Sequence, residues 1–485
     1  MRKCSLLFVT MTAVIFAEPI EELDTFIEKA LTEWNVPGVA VSVVKEDKVL
    51  LSKGYGIAKI GTEEKVDSKT VFQLASITKA LTSAALAVEV DKGRLTWDEE
   101  VILNLPQFAL KDPYPTRYTT ARDLLAHRTG LPAFGGDLLG KMGYNDSEIL
   151  HRIRFIDPAS SFRDKAHYSN AGYFIAGELL AAITGKSYEQ TVRDSIFTPL
   201  KMSQSGFAEK LDNDNVAYPH AFIDGKLTIL DWDITGGFPA AGAATSTADD
   251  MAKWMSMYLA GGQGVIKPET IDEMFASSMA GEASFSEAPP INDYSGFNFG
   301  LGWDNFHFHG KMIVEKGGGL DGIRTVTTLI PQLGVGITVM CNLNLTLFPE
   351  AVRAEFLELY LGKADTDIQQ EIKERQKQLD QLLVKPEPPK AVEPPQKLAL
   401  YTGKYSNDLY GIMEVEEKNG QLVLYAGPGR YAGTLTHYSN NTFTLTWPAV
   451  NGGNQQVTFT MGPEGKGIAF DTETYGRFTL ATSPS

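Results

Sequence analysis

The chain has 485 residues, of which 43% are hydrophobic and 21% charged. That is enough to bury more than one core, and it excludes wholesale disorder and collagen-like or disulfide-scaffold architectures. Lys and Arg number 44 against 60 Asp and Glu, a formal charge of -16, so there is no general attraction to phosphate backbones or anionic lipid and no nucleic-acid partner is expected.

Arg2 and Lys3, the apolar run from Ser5 to Phe16 and the acidic stretch from Glu18 read as a secretory signal over residues 1–17, cleaved after Ala17. Ile15 is bulky for its place before the cut, and an uncleaved anchor is the alternative. The expected address is secreted or periplasmic. Cys4 and Cys341 are the two cysteines, so loss of the signal leaves no pair for an internal disulfide. After signal removal no stretch reaches the ~20 apolar residues of a spanning helix.

Val39 to Val44 and Val49 to Tyr55, joined by Lys45-Glu46-Asp47-Lys48, read as a β-hairpin, as do Thr325 to Ile330 and Gly334 to Cys341 around Pro331 to Leu333. From about Ser76 to Met279 the periods are helical, for example Ala80 to Val90 closed by Gly93 and Ala171 to Ile183 closed by Gly185. The expected fold is α/β (α+β): one antiparallel sheet holding both hairpins, flanked by helices, with a mainly helical insertion. This first domain spans residues 18–362. Residues 363–396 form a helical and Pro-rich linker with Lys385-Pro386-Glu387-Pro388-Pro389, a composition suited to an extended spacer. Residues 397–485 read as short strands and turns, a separate small all-β barrel.

No Gly-x-Ser-x-Gly elbow, Walker loop or His-Glu-x-x-His is present, and the one Gly-x-Gly-x-x-Gly, Gly317 to Gly322, leads into a strand rather than a helix. Ser76-Ile77-Thr78-Lys79 instead leads into a helix. Positions three apart share a helix face, so Lys79 can reach Ser76, whereas in the second copy, Ser42-Val43-Val44-Lys45, a strand turns the two side chains to opposite faces. A serine hydroxyl needs such a partner to act as a nucleophile at neutral pH.

Tyr-Ser-Asn occurs at Tyr168-Ser169-Asn170, Tyr405-Ser406-Asn407 and Tyr438-Ser439-Asn440. The last two lie in the β module. The first precedes a helix, which Ser169 or Asn170 can cap while the loop projects into a cleft. Lys316-Gly317-Gly318-Gly319 is the one Lys-Gly-Gly, set before a strand, where glycines let a substrate approach the backbone.

Ser-x-x-Lys, Tyr-Ser-Asn and Lys-Gly-Gly in this order resemble the serine β-lactamase and penicillin-binding-protein superfamily. The resemblance is to the branch of class C β-lactamases, D,D-carboxypeptidases, D-aminopeptidases and family VIII esterases. It extends to Phe72-Gln73-Leu74-Ala75, Leu124 to Pro132, Pro199 to Met202, Ala241 to Asp250 and Gly300-Leu301-Gly302-Trp303, and covers roughly Ile20 to Leu361. The tail, with Tyr401-Thr402-Gly403-Lys404-Tyr405, resembles the lipocalin-like module appended to many of these hydrolases. Two departures stand out: Arg163-Asp164 where many relatives have Pro-Gly, and Lys316 where many have histidine.

The resemblance implies Ser76 as nucleophile, with Lys79 and Tyr168 sharing its proton. It further implies that Asn170 orients Lys79 or the substrate amide, that Lys316 binds a carboxylate or tunes Tyr168, and that Gly317, Gly318 and Gly319 border the substrate. The amides of Ser76 and Gly319 would form the oxyanion hole. It implies no cofactor and no metal; His307-Phe308-His309 reads as an exposed hairpin. His127 is expected to brace a loop, Ser246 to cap the helix carrying Asp249 and Asp250, and Trp303 to line either cleft or core. The expected function is a serine hydrolase working through an acyl-enzyme on an ester, a D-amino-acid peptide or a β-lactam, with a small-molecule or peptidoglycan-like peptide as substrate. A penicillin-binding or sensing protein with little turnover is the alternative.

Overall fold

In the computed structural model the described residues are 4–234, 238–281, 295–382, 392–450 and 453–481. Helix Cys4–Glu33 opens the chain and runs without a break past Ala17. β1 (Gly38–Lys45) and β2 (Lys48–Gly56) form the first expected hairpin. β3 (Phe72–Gln73) begins the helical insertion, which contains the hairpin β4 (His220–Ile223) and β5 (Lys226–Ile229) and ends after β6 (Thr245–Ser246), the partner of β3, and two further helices. The chain then returns as β7 (Met279–Ala280), β8 (Ser295–Phe299), β9 (Asp304–Phe308), β10 (Lys311–Leu320), β11 (Ile323–Ile330) and β12 (Val335–Cys341).

The main sheet has the order β2-β1-β12-β11-β10-β9-β8-β7, so the two expected hairpins lie side by side through β1 and β12, antiparallel. Alternation along the strands sorts their side chains into two cores. Val39, Val41 and Val43 of β1, with Val326, Ile337 and Val339, pack against the terminal helices through Leu23, Ile27, Val352 and Phe356. Ala40 and Val44, with Val314, Leu329 and Met340, face the insertion through Leu81, Ala84, Trp254 and Met255.

Two insertion helices frame the cleft. Thr78–Asp91 starts two residues before the apolar period suggests. Asn170–Thr184 is capped by the Ser169 hydroxyl, which accepts from the Gly172 amide, and is stopped by Gly185 at φ 69°, a left-handed value that glycine adopts without steric cost. The helix Ala248–Leu259 corrects the expected cap: Thr247, not Ser246, accepts from the Asp250 amide. Ser246 is instead taken up by the β3–β6 pairing. Trp303 belongs to the core, 1% exposed and stacked on Trp254 with centroids 5.2 Å apart. His307 and His309 flank buried Phe308 at the β9–β10 turn, both exposed.

Helix Ile368–Leu382 is not a free spacer, since it buries Ile368 and Ile372 in the terminal-helix core. The expected proline spacer Lys385 to Pro389 lies outside the described residues. Between Gly403 and Leu480 eight strands close into a barrel. Its alternation is plain in Gln421–Ala426, where Leu422, Leu424 and Ala426 point inward. No helix among the described residues is long and apolar enough to cross a membrane.

Candidate active site

Ser76 stands in a single 3-10 turn, Ala75–Ile77, immediately ahead of helix Thr78–Asp91. Ala75 before it sits at φ 51°, a left-handed value that costs a residue with a Cβ about 1–2 kcal/mol and is characteristic of backbone held for a task. The helix carries Lys79 one turn on, fully buried, with Nζ 3.1 Å from Ser76 Oγ and 2.8 Å from the carbonyl oxygen of Ala241. The other Ser-x-x-Lys is separated as strand geometry requires. Ser42 lies across from Thr338 and Ser52 in the sheet, and its buried Oγ has no hydrogen-bond partner among the described residues.

Tyr168 enters from the loop before helix Asn170–Thr184. Its ring lies 4.7 Å from Lys79 Nζ and 5.1 Å from Lys316 Nζ, so two lysine side chains converge on it. The imidazole of His127 packs on the same ring, centroids 4.7 Å apart, and its Nδ1 accepts from the Ser169 amide at 3.0 Å. Burial, reinforced by the charges of Lys316 and Lys79, pushes His127 well below the usual histidine range. It is therefore a neutral ring that braces the Tyr168 loop, as expected of it. The remaining Tyr-Ser-Asn copies are in the barrel, where Tyr405 is buried and donates to the Tyr401 carbonyl, and Asn440 takes a turn at φ 51°.

Lys316 on β10 is 1% exposed and donates to both oxygens of Asp304 at 3.0 Å. Its neighbour Glu315 joins a different network, bonded to Arg353 and Thr328. Gly317, Gly318 and Gly319 continue β10 alongside the Ser76 turn. A Cβ on Gly318 would come 2.6 Å from the Leu74 carbonyl oxygen and 2.8 Å from the Ser76 amide nitrogen, so only glycine lets strand and turn approach this closely. Gly318→Ala is accordingly expected to separate the Ser76 and Gly319 amides and lower any hydrolytic rate by about 100-fold, the scale of a 1 Å misplacement at a reacting centre. Initial rates beside an unchanged circular-dichroism spectrum check this.

Asn170, the first residue of its helix, donates to Asp137 Oδ2 at 2.6 Å. Burial raises the Asp137 carboxyl to about 6, against the opposing effects of Asn170 and the Lys79 charge. A carboxyl raised in the folded state holds a proton that the unfolded chain has released, so stability falls as pH rises from the ordinary 3.8 to about 6. Asp137→Asn is expected to remove that slope, worth about 1–3 kcal/mol at most after allowance for partial solvent screening. Denaturant unfolding of both proteins at pH 4 and pH 7 measures it.

Ser76, Asn170, Asp137 and Gly319 open together onto a cavity of about 570 Å³. Tyr410, Tyr431, Trp447 and Tyr475 of the barrel line it as well. The structure thus brings Ser76, Lys79, Tyr168, Asn170, Lys316 and the three glycines to one place, with a hydroxyl, a buried lysine nitrogen, a phenol and backbone amides together. Sequence reasoning missed Asp304, which lies one residue past the quoted Gly300-to-Trp303 motif. It also missed Asp137 and the barrel's aromatic residues, whose placement depends on contacts far apart in the chain. Among the described residues no group of three or more His, Cys, Asp or Glu side chains could hold a metal ion.

The chain is similar to known proteins in sequence and in fold. The Beta-lactamase family model matches residues 23–361, and a domain of unknown function, DUF3471, matches residues 387–481. An unguisins hydrolase from Aspergillus violaceofuscus is 26% identical over 492 residues, covering 90% of this chain and 85% of that protein. The octameric penicillin-binding protein homologue from Pyrococcus abyssi shares the fold over 95% of this chain and 99% of its own, with TM-score 0.63 and 22% identity. A D-amino acid amidase from Ochrobactrum anthropi SV3, complexed with L-phenylalanine amide, does so over 70% and 98%, with TM-score 0.58 and 20% identity. With a match across well over half its length, the chain belongs to the Beta-lactamase family of serine hydrolases.

Proposed function

We propose that the protein is a serine acyl hydrolase in which Ser76 Oγ attacks the carbonyl carbon of an ester, D-amino-acid peptide or β-lactam. The observation that carries this reading is the 3.1 Å contact between Lys79 Nζ and Ser76 Oγ in a buried setting that opens onto the cavity. The pair Lys79 and Tyr168 holds one proton fewer than its full complement when acylation begins, as a Lys79 amine or a Tyr168 phenolate; as the new C–O bond forms, that vacant position takes the hydroxyl proton, and the amides of Ser76 and Gly319 hold the developing oxyanion. The same pair returns the proton to the departing alcohol or amine, and water then releases the acyl group from Ser76.

Lys316 serves Tyr168 in this scheme. Its ammonium is bound by both oxygens of Asp304 and lies 5.1 Å from the Tyr168 ring, so it supplies a positive field to the proton relay. A substrate carboxylate would have to compete with Asp304 for it. Residues 18–362 act as the hydrolase domain, 363–396 as the link and 397–485 as the barrel domain of a secreted or periplasmic protein; the intact mass of the chain purified from its producing cell reports whether residues 1–17 are removed.

Active-site titration tests the reaction. On mixing with excess 4-nitrophenyl acetate, the full chain is expected to release a burst of 4-nitrophenol equal to the enzyme concentration, followed by slower steady turnover. A linear trace that Ser76→Ala leaves unchanged would refute the acyl-enzyme.

A further inference from the structure

The barrel is fixed against the hydrolase domain at the cavity. The Gly429 amide donates to the Met142 carbonyl at 2.7 Å, Tyr144 Oη to the Tyr410 carbonyl at 3.0 Å, and the Val450 amide to Asp321 Oδ2 at 2.9 Å. Arg152 adds bonds to the carbonyls of Asp408 and Leu409 at 3.0 and 3.1 Å. A Cβ on Gly427 would come 2.6 Å from Met142 Cβ, so the two backbones meet without a gap. The barrel rings on the cavity are also held to one another. Tyr431 and Trp447 stack at 4.9 Å with 21° between planes, and the Trp447 indole N–H donates to Tyr475 Oη at 3.1 Å.

The hydrolase domain contributes Asp137, Asp233 and Asp321 to the same lining. Lys141 is the only basic side chain among the described lining residues, and Asp233 binds it at 3.1 Å. Burial works to lower the Lys141 ammonium, and Asp233, Tyr431 and Asp321 together outweigh it and hold the group above the ordinary lysine range. Oδ1 of Asp137 is buried without a hydrogen-bond partner among the described residues. Three carboxylates therefore face one ammonium, and the electron-rich rings add attraction for a cation and none for an anion.

We propose that this region is a subsite for a positively charged amine on the acyl group: Asp137, Asp233 and Asp321 form its floor and Tyr431, Trp447 and Tyr475 of the barrel its wall. The barrel is then part of the substrate site rather than an appendage. The proposal rests on the acyl-transfer reading above and specifies its substrate class.

The test uses the full chain and the 4-nitrophenyl esters of 6-aminohexanoate, heptanoate and adipate, which carry a cationic, a neutral and an anionic chain end. kcat/KM is expected to be at least about tenfold higher for the amine ester than for the heptanoate, and lowest for the adipate. Trp447→Leu and Asp233→Asn are each expected to collapse the amine-to-heptanoate ratio toward one; Tyr431→Leu, at a half-buried position, replaces Trp447→Leu if that protein fails to fold. A ratio near one in the wild type, or a preference for adipate, overturns the subsite while leaving the acyl-transfer reading intact. If no ester is turned over, acyl transfer fails, and calorimetric titration of the Ser76→Ala chain with phenethylamine and with 3-phenylpropionate decides the subsite alone. Tighter amine binding by about tenfold, lost in Tyr431→Leu, supports it, and equal or tighter binding of the carboxylate overturns it.

Discussion

Ser76→Ala is expected to lower hydrolysis of every acyl substrate the wild-type chain accepts by at least about a thousandfold, the scale seen when one member of a catalytic unit is removed. Ser42→Ala is the internal control, because it disrupts the same four-residue pattern on a strand. The Ser42 hydroxyl is buried and makes no hydrogen bond among the described residues. Its loss relieves a desolvated group and should change the rate by less than about twofold. Initial rates on 4-nitrophenyl acetate, together with thermal unfolding of both proteins, separate chemistry from folding. Equal losses in two folded variants would mean that the helical Ser-x-x-Lys is not the reacting pair.

The second large effect is expected at Asp304. Asp304→Ala leaves the Lys316 ammonium 1% exposed and without the carboxylate that binds it at 3.0 Å on both oxygens. Breaking one side of a buried ion pair costs about 3–5 kcal/mol. The rate should fall as well, since Lys316 loses the anchor that places it 5.1 Å from the Tyr168 ring. The double variant Lys316→Met with Asp304→Leu discriminates the two contributions. Apolar side chains of similar volume should restore most of the stability, while the rate stays low because the Lys316 charge no longer reaches Tyr168. Denaturant midpoints and kcat/KM on one ester give both readouts. Recovery of the rate in the double variant would show that the Lys316 charge has no part in the reaction.

Much of this arrangement is legible in the sequence because local rules decide it. The hairpin around Glu46, the helix stopped by Gly185 and the contrast between Ser76 and Ser42 follow from periodicity of two or 3.6 and from backbone conformation. Other parts are decided by contacts that no window of sequence contains. Asp304 becomes the partner of Lys316 through the pairing of β9 with β10. Asp137 meets Asn170 across 33 positions. The rings of Tyr431, Trp447 and Tyr475 reach the cavity only because the barrel docks on Met142 and Tyr144. Helix Ile368–Leu382 reads as polar and charge-mixed, yet Ile368 and Ile372 are buried on the hydrolase domain, where Gln369 and Gln376 add hydrogen bonds to the carbonyls of Ala351 and Leu345. The Thr247 cap, one residue beyond the expected Ser246, follows the same rule: pairing of Ser246 with Phe72 removes it from the helix end.

The most direct test of the account is intact-mass analysis of the full chain, acid-quenched within seconds of mixing with 4-nitrophenyl acetate and followed by peptide mapping. One added acetyl group is expected on the peptide containing Ser76, present in the wild type, absent from Ser76→Ala and accumulated when Tyr168→Phe slows its release. Turnover without any acetyl adduct, or an adduct that maps to another residue, would contradict a mechanism through Ser76.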